Sequence, residues 1–108
     1  MKGTNLGELE ELILLSTAAL FDNAYGVAIQ KEIKDKCNRS ITISTVHAAL
    51  ARLEQKGFLS SRYDGVTPER GGRRKHLFKV TKSGQQALEQ MKKQRDSFWD
   101  VIPKMAFD

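Results

Sequence analysis

Between Ser44 and Lys75 the chain places small hydroxyl and methyl side chains at helical spacing and then gathers cations around glycines. In the run Ser44 to Leu53, the residues Ser44, Thr45, Ala48 and Arg52 fall on one side of a helix. Val46, Ala49, Leu50 and Leu53 fall on the other. Small side chains let a helix come close to the base edges of duplex DNA. Thr45 and Ala48 offer methyl groups to thymine, and Arg52 can take a guanine edge or a phosphate. A solvent salt bridge with nearby Glu54 is the alternative for Arg52. His47 stands either as a phosphate donor or as a partly buried packing residue, and the hydroxyls of Ser44 and Thr45 can equally cap the helix. Further on, Glu69 to Lys75 (ERGGRRK) sets Arg70, Arg73, Arg74 and Lys75 within six residues. Such a cluster repels itself unless a counter-charge is near, and phosphates supply one. A solvated loop that never meets DNA is the competing reading.

Other chemistry finds little support. Gly71-Gly72 is not followed by the Gly-Lys-Ser/Thr ending of a phosphate loop. Cys37, His47 and His76 are scattered without metal-ligand spacing, so neither a metal nor a cofactor is expected. Glu8, Glu10 and Glu11 sit near a helix start and read as capping and dipole charges rather than an acid–base pair. No nucleophile lies beside a base, so no catalytic residue is expected.

These residues need elements to hold them. Asn5, with Glu8 three residues later, reads as a capping box opening a helix that runs to about Phe21. Its many apolar residues exceed one face of a surface helix, so its second side, including Leu9 and Ile13, is expected to meet another subunit. A second helix spans about 24–38, with Tyr25, Ile29, Ile33 and Cys37 as a narrow apolar stripe, Cys37 counted as a small buried hydrophobe. Ile41 to Ile43 form an extended link, Thr42 or Ser44 caps the third helix, and Gly57 follows its end. Strands are expected over 58–63 and 76–80, joined by a long mobile tip. Thr81 caps a last helix. Leu88, Met91, Arg95, Phe98, Ile102 and Met105 recur there at spacings of 3, 4, 3, 4 and 3, a heptad seam that Arg95 interrupts. Pro103 should fray or kink it near Trp99 to Ile102.

Composition agrees. The 108 residues carry a net charge of +5. Residues 1–24 hold four acids and one base, whereas 25–82 hold thirteen bases and five acids, so the excess lies on the suspected DNA-reading part. A single cysteine permits no intrachain disulfide. No apolar run approaches the ~18 residues of a membrane span. A cytoplasmic protein is expected, with no membrane partner.

Five segments, in order, resemble the PadR family of transcriptional regulators. They are Leu6 to Leu14 (LGELEELIL), Ala24 to Gly26 (AYG), Ile41 to Val46 (ITISTV), Leu50 to Leu59 (LARLEQKGFL) and Gly72 to Gly84 (GRRKHLFKVTKSG). The chain departs from the family at His47-Ala48, where Tyr-Pro is common, and at Arg74, where proline is usual. The resemblance implies a mainly α fold with a two-stranded β-wing: a winged helix-turn-helix over 1–82 and a C-terminal dimerisation helix over 83–108. It also implies a homodimer, usually a repressor, on a pseudo-palindromic operator in double-stranded DNA. Dimerisation would use the first and last helices. Trp99, near the expected two-fold axis, either packs on its copy or sandwiches a planar apolar effector, as in multidrug-responsive relatives. The reading from a different class is a winged-helix module that grips an acidic protein without specific DNA binding.

Overall fold

A computed structural model describes residues 6–66 and 74–108. Helix α1 spans Glu8–Leu20, α2 Gly26–Cys37 and α3 Ile43–Gln55. Strands β1 (Leu59–Val66) and β2 (Arg74–Val80) form an antiparallel hairpin, and α4 (Lys82–Trp99) follows. A single 3-10 turn, Lys104–Phe107, lies beyond it.

The first three helices enclose the core. Ile13 and Leu14 from α1, Ile29 and Ile33 from α2, and Val46, Ala49, Leu50 and Leu53 from α3 are all sealed from solvent. Phe58, Leu59 and Phe78 at the base of the hairpin close the same cluster. Ile13, expected at a subunit interface, therefore has no surface to offer a partner; it is a core residue.

Local chemistry sets the helix ends. The capping box lies two residues later than Asn5-x-x-Glu8, and Asn5 itself falls outside the described residues. Gly7 is the N-cap of α1, and its amide donates to Glu10 Oε1 at 3.2 Å. Helix α1 gives way at Phe21, whose backbone adopts φ 55° and ψ −113°, a costly positive-φ conformation for an aromatic residue. Asn38, at φ 52° and ψ 41°, takes the left-handed helical region at the end of α2, where asparagine is well tolerated. Thr42, not Ser44, caps α3, accepting from the Thr45 amide at 3.1 Å. Gly57, at φ 85°, turns the chain out of α3 as its position predicts.

Cys37 is exposed rather than buried. Residues four apart advance about 40° around a helix of 3.6 residues per turn. The stripe of Tyr25, Ile29 and Ile33 has therefore swung away from the core by the time it reaches Cys37, the last residue of α2.

The hairpin is longer than expected. Its strands pair Leu59 with Val80 and continue to Tyr63 with His76, then shift register before Val66 pairs with Arg74. The expected mobile tip begins beyond Val66 and lies outside the described residues. The base of the wing is stitched to the second helix: Tyr25 bridges Leu77, and the Phe78 amide donates to the Ala24 carbonyl at 2.8 Å.

The apolar anchoring of helix α4 is confined to its first half. Thr81 caps it, accepting from the Gly84 amide at 3.1 Å while its hydroxyl donates to the Gly57 carbonyl at 2.6 Å. A Cβ on Gly84 would stand 2.3 Å from the Phe58 carbonyl oxygen, so only glycine permits this approach. Gly84 and Ala87 are buried, Leu88 and Met91 half-buried, and the rest of the helix is exposed. It ends at Trp99, four residues before Pro103, so Ile102 and Met105 lie past the helix and the heptad seam is confined to Leu88, Met91, Arg95 and Phe98.

Candidate nucleic-acid interface

Helix α3 divides cleanly. Val46, Ala49, Leu50 and Leu53 are buried; Ser44, Thr45, His47, Ala48 and Arg52 are exposed. The open face holds no large apolar side chain. Thr45 is tied back by its amide to the cap and by its hydroxyl to Thr42 Oγ1 at 2.9 Å, which fixes the first turn. The exposed methyl and hydroxyl groups are thus held on a rigid helix whose other side is the core.

His47 is exposed, yet its ring lies against the start of α2. A Cβ on Gly26 would come within 2.7 Å of His47 Cε1. Glycine at 26 makes room for the imidazole, and the ring in turn sets the spacing of α2 and α3. Packing and solvent access coexist at this histidine.

Arg52 does not pair with Glu54. Its Nε donates to Glu10 Oε2 at 3.2 Å, and Lys56 Nζ donates to Glu10 Oε1 at 2.9 Å. Burial raises the Glu10 carboxyl pKa; hydrogen bonds from Lys56, the Gly7 amide and Arg52 outweigh it, so the net shift is downward. Glu10 is therefore a charged anchor clamping the end of α3 to α1. Its neighbours behave alike: Glu8 meets Arg39 at 2.8 Å and Glu11 meets Arg95 at 2.7 Å. The three acids read from sequence as capping charges reach the α2–α3 link, the end of α3 and α4. Only Glu10 also caps.

Of the four cations on the described wing strands, Arg62, Arg74, Lys75 and Lys79, two lie over aromatic rings. Arg74 lies over the Tyr63 ring at 5.1 Å, and Lys75 lies over the Tyr25 ring at 4.7 Å. Tyr63 stacks on His76 with centroids 4.3 Å apart, and His76 meets Phe78 at 4.4 Å. A column of rings thus rises from the buried Phe78 to the exposed Arg74. It stiffens a two-stranded ribbon that would otherwise twist freely. Arg70 and Arg73 lie outside the described residues. Lys75 comes near the start of α2, which His47 also approaches, so the structure brings Lys75, His47 and the first turn of α3 toward one side. Tyr25, Tyr63 and Glu10 were not read from sequence as residues that hold the wing or clamp α3. Finding them needs the strand register and the α1–α3 crossing, neither of which has a local signature.

Residues 14–90 match the transcriptional regulator PadR-like family. The chain belongs to that family. Among solved structures it resembles a PadR family transcription regulator from hypervirulent Clostridium difficile, at 31% identity, with TM-score 0.68 and 88% of this chain and 94% of that one covered. It also resembles a transcriptional regulator from Clostridium thermocellum, at 26% identity, TM-score 0.68, covering 86% and 87% of the two chains. A PadR-like transcription factor from Bacteroides fragilis shares the fold at 22% identity, with TM-score 0.71 over 86% and 84%. No curated protein matches the sequence. The coarse function follows from the family: this is a winged-helix, DNA-binding transcriptional regulator and not an enzyme.

Among the described residues no group of three or more His, Cys, Asp or Glu side chains could hold a metal ion. No described helix is long and apolar enough to cross a membrane.

Proposed function

We propose that this PadR-like chain works in the cytoplasm as a homodimeric repressor that binds a pseudo-palindromic operator. Residues 1–82 form the reading unit, and 83–108 are the arm that pairs subunits. Ser44, Thr45 and Ala48 of α3 enter the major groove. His47 and Arg52 lie at its edge, with Arg52 leaving Glu10 for a phosphate. Arg70, Arg73, Arg74 and Lys75 of the wing hold the flanking backbone. The observation that carries this reading is the two-sidedness of α3, one face in the core and the other exposed, small and polar, beside a ring-stacked basic ribbon.

Dimerisation rests on a different surface. Phe98 is 71% exposed and Trp99 65%, and Leu15 and Phe21 of α1 also stand in solvent. An open cleft of about 260 Å³ between α1 and α4 is lined by Thr17, Ala18, Phe21, Val80 and Leu88, with Lys79 and Gln85 at its rim. A monomer rarely leaves so many large apolar groups bare. Of the interface residues read from sequence the proposal keeps Leu9, Leu88, Met91, Phe98 and Ile102, drops Ile13, which is core, and Arg95, which turns back to Glu11, and adds Leu15 and Phe21. Trp99 lies 6.1 Å from Phe107, ring centre to ring centre, so it has a stacking partner within its own subunit. That favours packing over an effector sandwich at Trp99.

The test of the wing is the double variant Arg73→Ala with Arg74→Ala. It should weaken binding to every duplex alike and lower the slope of log K against log salt by up to ~2, one unit per lost phosphate contact. An unchanged slope removes the wing from the interface. The acidic-protein module predicts that whatever binding the wild-type chain shows in the same titration is insensitive to duplex sequence.

A further inference from the structure

Arg95 breaks the apolar seam of α4, and the structure shows where it goes. Its Nη2 reaches back to Glu11 Oε1 of α1 at 2.7 Å, onto a carboxylate whose side chain is only 15% exposed. Neighbouring charges on the same helix are already occupied, Lys92 with Asp96 at 2.8 Å. Among the described residues, Arg95–Glu11 is the one side-chain ion pair or hydrogen bond joining α4 to another element of the reading unit. Apolar contact fades earlier: Ala87 is sealed, Leu88 and Met91 are half-covered, and every α4 residue after Met91 is exposed. The arm is therefore fixed at two points, a greasy pivot at Gly84 to Met91 and a polar strut one turn beyond.

From this we infer that Arg95, acting through Glu11, sets the angle at which α4 leaves the reading unit, and so sets the separation of the two recognition helices in the dimer. Arg95 is a positioning residue for operator half-site spacing rather than a DNA contact. This role rests on the dimer reading above. The lever is long enough to matter. From the middle of that pivot, near Ala87, to Trp99 the helix runs about 18 Å at 1.5 Å per residue, so a swing of about 15° moves its far end by about 5 Å. That exceeds the 3.4 Å step between base pairs, so a modest change of angle shifts the preferred spacing by a base pair or more. Glu11 belongs to the same turn of α1 as Glu10, which clamps Arg52 and Lys56 of α3. The strut therefore connects the arm to the carboxylate turn that holds the recognition helix. With Arg95 half-exposed, a pair of this kind contributes little to global stability. Yet the arm beyond Met91 has almost nothing else to hold its direction.

Cys37 makes the test direct, since it is exposed on the reading unit and is the sole cysteine of the chain. A spin label on Cys37 and a second on Ser97→Cys, diluted with unlabelled chain, report the arm angle within one subunit. The native Cys37 alone reports the distance between reading units across the dimer. The wild-type background should give one narrow distance for each pair. Arg95→Ala and Glu11→Gln should lose that narrow peak in both measurements without shifting the melting temperature. The conservative Arg95→Lys, and the exchange Glu11→Lys with Arg95→Glu, should recover it. Narrow, wild-type distances in Arg95→Ala overturn the strut. Broadening within the subunit, with no distance at all between Cys37 labels in any variant, overturns the dimer reading and the spacing role with it.

Discussion

Helices α3 and α4 both turn a face to solvent, and the faces are of opposite kinds. That of α3 is small and polar: Ser44, Thr45, His47 and Ala48, with Arg52 close by and Lys75 on the wing. That of α4 is polar along most of its length but large and apolar at its far end: Phe98 and Trp99, with Val101 and Met105 beyond. The inner faces differ as well. Helix α3 buries four side chains in the core, whereas α4 buries only Gly84 and Ala87. A helix that must read a groove needs a rigid bed and an unobstructed front. A helix that must pair with its copy can leave its bed incomplete, because the partner completes it. On the proposed reading, this contrast is that between a nucleic-acid surface and a protein surface.

The contrast can be broken first from the inside. Leu50→Ala empties a sealed site under the recognition helix and should cost about 2–5 kcal/mol by denaturant unfolding. Phe98→Ser with Trp99→Ser touches no core and should leave the subunit folded, yet weaken the dimer by roughly 2–4 kcal/mol in sedimentation. If the second pair of substitutions unfolds the subunit as Leu50→Ala does, α4 belongs to the core and the comparison fails. Gly84→Ala probes the junction between the two regions. The added methyl meets the Phe58 carbonyl, so a loss of about 1–3 kcal/mol is expected by thermal unfolding.

The smallest effect sharpens the comparison at the α1–α3 clamp. Glu10 is held below its ordinary carboxylate pKa of 4.5, because Lys56, the Gly7 amide and Arg52 outweigh the upward push of burial. A lowered folded pKa gives stability that is fully present above 4.5 and fades as pH falls through the lower folded value. Glu10→Gln should therefore cost no more than about 1 kcal/mol at neutral pH, since Arg52 and Lys56 are half-exposed and screened. The difference from wild type should shrink on acidification. A gap that widens at low pH would contradict the assignment. The same variant leaves Arg52 free, and its DNA binding should not weaken.

Much of this was legible in the residues. The buried side of α3, the Thr81 cap, the turn at Gly57 and the early end of the last helix before Pro103 follow from local rules of periodicity and capping. Cys37 was misread because a stripe of every fourth residue drifts around the helix. Ile13 was misread because apolar excess in α1 shows that two faces are covered but not which residue lies on which. The partners of Glu8, Glu10 and Glu11 were invisible for a further reason. Ion pairs between elements depend on crossing geometry, and four of the residues involved lie 31 to 84 positions away along the chain. The ring column under Arg74 likewise depends on strand register, which a shift between Tyr63 and Val66 makes unreadable from spacing.

The central claim is that the open face of α3 reads a specific DNA sequence. Fluorescence anisotropy with a duplex from the region upstream of this protein's own gene, against a scrambled duplex of equal length at two salt concentrations, tests it most directly. The wild-type chain should prefer its own upstream duplex by about a thousandfold or more, and Ala48→Glu should abolish the preference. Sequence-specific binding that survives Ala48→Glu undiminished would contradict the claim.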